Sequence, residues 1–154
     1  MDKLVVSGEE FSPVMNEILS TGGTVSLVVS GSSMLPFLKH GRDTVNLCRC
    51  TARDLKWGQI LLFRRLDQSL VLHRIRKILP DGRLLMNGDG QKWCEMIFPA
   101  QVIAYASSVE RKGRLMPCNR VLFRFWNLIW YPTRPFRPML FQIGRILFRR
   151  RKRQ

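Results

Sequence analysis

Turn-forming residues punctuate this chain from position 22 to about position 110, and the runs between them are short and apolar. Residues 25–29, 44–48, 60–64, 70–79, 83–86 and 101–109 each read as strands, several of them rich in Val and Ile. Pro80-Asp81-Gly82 is a strong hairpin signal between a long strand and its return, and Gly88-Asp89-Gly90 closes the next turn. Roughly seven short strands divided in this way predict a mainly β domain. A short helix precedes them. Ser12 suits its N-cap and Pro13 its first turn, Phe11, Val14, Met15, Ile18 and Leu19 share a face, and Gly22-Gly23 ends it.

Charge divides the chain. The net charge is +15, yet residues 1–110 hold 13 Lys/Arg against 11 Asp/Glu, whereas residues 111–154 hold 13 Lys/Arg and no acid. The expected organisation is therefore a lead-in helix over 1–23, a β domain over 24–110 and a basic, aromatic-rich tail over 111–154. Within the tail, Arg120, Arg124 and Asn127 fall at i, i+4 and i+7 of an otherwise apolar run, one face of a helix. Pro132, Pro135 and Pro138 interrupt it. A second apolar run follows, with Gln142, Arg145 and Arg149 on one face, and then Arg149-Arg150-Arg151-Lys152-Arg153. Two amphipathic, arginine-faced helices suit an anionic membrane surface. The plainer expectation is that they pack on the β domain, with Phe125, Trp126 and Trp130 as ordinary core. A specific nucleic acid partner is not expected, because base-stacking aromatics would alternate with basic residues on an accessible surface.

No stretch of about 18 uncharged apolar residues is present, and the first ten residues lack a long apolar core, so neither a membrane span nor a secretory leader is expected. The expected location is cytoplasmic and peripheral to the membrane, with a membrane-protein partner left open. Cys48, Cys50, Cys94 and Cys118 offer only a C-x-C, tighter than the usual zinc half-site, so reduced thiols and no metal or other cofactor are expected.

The chemistry-bearing stretch is Ser30-Gly31-Ser32-Ser33-Met34-Leu35-Pro36. Gly31 permits a tight turn and Pro36 forbids a helix through it, so a serine is held rigidly at a strand exit. Most serines in such turns only shape the turn, because a hydroxyl is a poor nucleophile until a base takes its proton. His73, in Leu70-Val71-Leu72-His73-Arg74-Ile75, lies on a strand and is neutral near pH 7, which suits that role. The usual fate of such a histidine is a half-buried strand position. His40 is nearer in sequence but sits among Lys39 and Arg42, a poor setting for a base. Asp89 suits a turn and equally suits orienting an imidazole, while Asp43 fits shaping the loop after the serine.

Taken together, Ser33-Met34-Leu35-Pro36, Gly41-Arg42-Asp43-Thr44-Val45, Trp57-Gly58-Gln59-Ile60-Leu61-Leu62-Phe63, Leu72-His73-Arg74-Ile75 and Asn87-Gly88-Asp89 stand in the order seen in signal peptidase I and its S24/S26 serine peptidase relatives. The resemblance spans roughly residues 24–106 and is closest to the SipW and endoplasmic-reticulum branch, which uses histidine where bacterial enzymes use lysine. It implies a signal peptidase/LexA-like β fold and a serine endopeptidase that removes a leader or signal segment from a peptide or preprotein. It also implies Ser33 as nucleophile, with Ser32 as the neighbouring candidate, His73 as base and Asp89 as its partner. Residues before Ser33 are too few for the helix-turn-helix of a LexA-like repressor. One departure stands out. The family commonly places an oxyanion-stabilising serine two residues before the nucleophile, and Gly31 occupies that place, leaving the Ser33 N–H and Ser32 as donors. Loss of one donor costs about 10²–10³ in rate. The alternative reading is a catalytically weak or inactive, membrane-associated peptide-binding module of the same fold.

Overall fold

A computed structural model describes residues 5–6, 13–119 and 121–151. The expected Ser12 cap and Phe11 lie outside them. Helix α1 (Pro13–Ser20) buries Met15 and Leu19, while Val14 faces solvent, so the apolar face is narrower than the sequence pattern predicts. Gly22 has φ +84°, and the N–H of Gly23 donates to the Ile18 carbonyl at 2.8 Å, which stops the helix where the glycine pair predicts.

The described residues form nine strands: β1 (Val5–Val6), β2 (Val25–Val28), β3 (Asp43–Arg49), β4 (Ile60–Arg64), β5 (Leu70–Ile78), β6 (Leu84–Asn87), β7 (Glu95–Ile97), β8 (Val102–Arg111) and β9 (Arg114–Pro117). They make one sheet in the order β1-β2-β3-β8-β4-β5-β6-β7, with β9 added to β8. Every pairing is antiparallel except β1 with β2. The fold is thus mainly β with a C-terminal helical region.

The side-chain period of two along β4 builds the core on both faces of the sheet. Ile60 and Leu62 join Met15, Leu19, Val25, Leu27, Val45 and Leu47 on one side. Leu61 and Phe63 join Ile75, Leu84, Met86 and Ile97 on the other. Burying an aliphatic side chain of this kind is worth about 1.5–3 kcal/mol, and β4 buries four in a row.

The C-terminal region packs partly on the β domain, the plainer of the two expectations. β8 runs through Arg111 and β9 pairs back onto it, so the expected boundary at 110/111 falls inside a strand. Helix α2 (Val121–Trp130) follows, then a 3-10 segment over Tyr131–Phe136, then α3 (Arg137–Arg151). Phe123 enters the same core as Met15 and Leu27, and its ring meets Phe37 edge-on at 4.9 Å. Asn127, expected on a solvent-facing polar stripe, is buried instead. It accepts from Arg76 Nη1 at 3.0 Å and donates to the Gly58 carbonyl at 3.3 Å. A polar side chain gains more from a strong donor inside the protein than from water.

Candidate active site

Ser33 sits on a loop built from backbone contacts and one apolar anchor. The Val29 N–H donates to the Asp43 carbonyl at 2.9 Å, and Gly41 N–H donates to the Val29 carbonyl at 3.0 Å, tying both ends of the loop together. Gly31 takes φ +76°, a backbone that side chains rarely adopt. Met34 and Leu38 are buried in the core, and the Leu35–Pro36 peptide is cis. Ser33 itself is half-buried, whereas Ser32 is exposed.

The loop's far side is fixed by Asp43. Its carboxylate accepts from the Lys39 N–H at 2.8 Å, from Arg42 Nη2 at 2.7 Å and from Arg111 Nε at 2.7 Å. Burial alone would raise its pKa, but the hydrogen bonds from Arg42, Arg111 and Lys39 outweigh it and hold the carboxyl at about 2. Asp43 therefore shapes the loop, as the sequence predicts. His40 lies exposed on this loop, away from the cavity described next.

Ser33 and His73 line one cavity of about 170 Å³, together with Gln91, Leu27, Leu62 and Leu72. His73 projects from β5 opposite Leu61 of β4 and is 1% exposed. Its ring lies 6.0 Å from Phe63 and 6.2 Å from Trp93. Burial pushes its pKa below the usual 6.5, with Glu95 pulling the other way and Arg65 adding to the depression. The imidazole is accordingly neutral at pH 7, the state a proton acceptor needs.

The carboxylate beside His73 is Glu95, not Asp89. Nδ1 lies 2.8 Å from Glu95 Oε1, a contact that becomes an ion pair when the imidazole takes up a proton. The register explains the meeting: Ile75 pairs with Met86 and Met86 with Glu95, which brings β7 to the sheet face that carries His73. Arg65 clamps Glu95 with two hydrogen bonds of 2.7 Å. Although burial would raise the Glu95 pKa, Arg65 and His73 bring it below the ordinary value.

Asp89 is corrected from orienter to structural anion. Alternation along β5 sends Arg74 and Arg76 to the face opposite His73, and those arginines take Asp89. Its Oδ2 accepts from Arg74 Nη2 at 2.7 Å and its Oδ1 from Arg76 Nη2 at 2.8 Å, with all three side chains buried. Arg137 is buried beside them, giving three guanidiniums to one carboxylate. The excess charge is met by acceptors and ring faces: Gly58 O takes Arg74 at 3.0 Å, and Phe37, Tyr131 and Trp130 lie 4.8, 5.0 and 5.5 Å from Arg74, Arg76 and Arg137.

The Gly88-Asp89-Gly90 turn touches the serine loop backbone to backbone. Gly90 N–H donates to the Ser33 carbonyl at 2.7 Å. A Cβ on Gly88 would lie 2.5 Å from Ser33 O, 2.8 Å from Gln91 Oε1 and 2.9 Å from His73 Nε2, and one on Gly90 would lie 2.8 Å from Ser32 O. Both glycines are needed for this approach. The same arrangement packs the serine loop, the imidazole and the Gln91 amide around one point. His73 Nε2 and Gln91 Oε1 are buried there without a hydrogen-bond partner among the described residues. Buried polar atoms normally find partners, so these two stand out beside the serine loop.

The turn is held from behind by the C-terminal region. Trp130 Nε1 donates to Asp89 O at 2.7 Å, and Arg137 Nη1 donates to Asn87 Oδ1 at 2.8 Å, to Gly88 O at 3.1 Å and to Gln91 O. Sequence reasoning missed Glu95, Trp130 and Arg137. Glu95 left a faint trace as the single acid between Asp89 and Glu110, but no local pattern marks the other two.

The four cysteines are free thiols, and burial pushes Cys50 up to about 11 and Cys118 up to about 12. No cluster of metal-ligating side chains occurs among the described residues. No helix among them is long and apolar enough to cross a membrane. No protein-family model matches the chain, and neither the curated proteins nor the solved structures compared with it give a match.

Proposed function

We propose that the protein is a serine endopeptidase of the signal peptidase-like type, with a β domain of the signal peptidase/LexA kind and Ser33, His73 and Glu95 as its working groups. In the acylation step Ser33 Oγ attacks the scissile carbonyl carbon, and its proton passes to His73 Nε2. His73 then gives that proton to the departing amine as the C–N bond breaks. Water, losing a proton to the same nitrogen, then attacks the acyl carbon, the bond from that carbon to Ser33 Oγ breaks, and His73 returns the proton to Oγ, leaving the free acid and the serine. Glu95 favours the imidazolium that forms in both halves. The Ser33 N–H is a donor for the oxyanion, and Gly31 supplies none from its side chain.

The observation that carries this reading is a neutral, buried imidazole with a carboxylate on one nitrogen and the other nitrogen unpartnered, lining the cavity that Ser33 lines. A space of about 170 Å³ is smaller than the several hundred Å³ of a typical small-molecule site and suits one apolar side chain of an extended peptide. A leader segment of a peptide or preprotein fits that description. Gly31 favours the second reading, a peptide-binding module that does not turn its ligand over.

A fluorophosphonate probe separates the two. Intact mass should show one adduct, located on Ser33, absent from Ser33→Ala and formed at least 100-fold more slowly in His73→Ala. Folded wild-type protein that never labels, or a His73→Ala variant that labels at the wild-type rate, would sink the peptidase assignment.

A further inference from the structure

Three polar side chains of α2 and the segment after it are spent inward. Asn127, Trp130 and Arg137 all bond to the β domain, as described above. What α2 and the segment after it turn outward is apolar. Phe125, Leu128 and Ile129, at i, i+3 and i+4, are exposed, Leu128 by 67%. Met139, Leu140 and Ile143, at i, i+1 and i+4 of α3, are exposed as well, beside exposed Gln142 and Arg145. A helix that buries Asn127 while baring three large apolar side chains departs from a water-facing helix, and bare apolar faces mark surfaces that meet something apolar.

Charge decides among the occupants. Residues 111–154 carry no acid, and the last ten residues contain six Lys/Arg, so the apolar face adjoins a purely cationic stretch. A second copy would bring the same cationic stretch against this one. A bilayer with anionic headgroups offers an apolar interior for the first feature and phosphates for the second.

We infer that the outward residues of α2 and α3 form a docking surface for an anionic lipid bilayer, with Phe125, Leu128, Ile129, Met139 and Ile143 entering the acyl boundary and the acid-free charge of residues 111–154 selecting anionic headgroups. Because the inward side of α2 holds the 87–91 turn, docking keeps the Ser33–His73 cavity on a body fixed to the membrane surface. That consequence rests on the peptidase reading, whereas the docking itself does not.

The test is flotation of the full chain with vesicles of 30% phosphatidylglycerol in phosphatidylcholine, beside pure phosphatidylcholine vesicles and single-stranded RNA. These compositions are experimental choices of about the usual anionic content. Wild type should float with the anionic vesicles and not with the neutral ones. Leu128→Glu/Ile129→Glu, both solvent-facing, should keep the melting temperature and bind at least tenfold more weakly. Ser33→Ala should float as wild type does, which separates failure of docking from failure of the peptidase assignment. Wild type that stays in solution overturns the inference. So does a glutamate variant that floats undiminished, since charge alone would then explain binding. RNA binding stronger than vesicle binding, or a sedimentation dimer that the glutamates dissolve while vesicles are ignored, would hand the face to those partners instead.

Discussion

Glu95 and Asp89 both serve β5, and they are held in opposite ways. Asp89 is 0% exposed and lies among permanently charged arginines, whereas the Glu95 side chain is 18% exposed and shares its charge between one arginine and one histidine. A guanidinium never releases its proton in a protein, so the Asp89 side is electrostatically locked. An imidazole does release its proton, so the Glu95 side can accept a change of charge at little cost. A carboxylate's place in a motif therefore says less about its role than the sheet face of the cation it meets.

Breaking that contrast gives the largest effects. Asp89→Ala leaves Arg74 and Arg76 without their anion, and truncating one partner of a buried pair costs about 3–5 kcal/mol. Urea denaturation should show that loss, and a stability within 1 kcal/mol of wild type, about the scale of a surface pair, would refute the locked network. Glu95→Gln should instead leave stability nearly untouched and lower kcat/KM by about 10²–10⁴, the usual worth of a positioned acid–base group. Its acid limb should move to lower pH, because the carboxylate that raises the His73 pKa is gone. On the peptidase reading, the lowered His73 pKa sets the expected wild-type limb below pH 6.5. An acid limb that stays in place in Glu95→Gln would disconnect the two residues.

Smaller effects sharpen the comparison at the point where the two sides touch. Gly88→Ala drives a methyl 2.5 Å from the Ser33 carbonyl, and overpacking of this kind costs about 1–3 kcal/mol. Thermal melting reads it directly. Gly31→Ala meets no atom but forces an L-residue to φ +76°, for about 1–2 kcal/mol. Asp43 gives a signature confined to acid pH. Its folded pKa of about 2 lies below the ordinary 3.8, so its contribution is present above pH 3.8 and is lost as pH falls from there through about 2. Asp43→Asn should flatten stability across that window, and an unchanged slope would contradict the Arg42–Arg111 clamp.

The strands were legible because each is a short apolar run with a turn residue at its end. Ile60–Arg64 was read with the bounds it has, and β5 was read one residue too long. β7 and β9 were missed because they are short runs that mix charge or proline with their apolar residues, Glu95-Met96-Ile97 and Arg114-Leu115-Met116-Pro117. The Ser33–His73 pairing in one cavity follows from the motif order, whereas the exchange of Asp89 for Glu95 depends on register across β5, β6 and β7, which no single segment encodes. The burial of Asn127 was hidden for the same reason: its partners Arg76 and Gly58 are distant in the chain.

The Arg137 clamp has a consequence for the order in which the protein matures during synthesis. Asn87, the side chain it grips, is translated fifty residues earlier. A nascent chain that has already paired β2 through β8 still lacks the brace behind the Gly88–Gly90 turn until the ribosome has let Arg137 emerge. The part of the sheet that carries the Ser33–His73 cavity is therefore completed late, and a polypeptide stalled before that arginine carries an unfinished cleft.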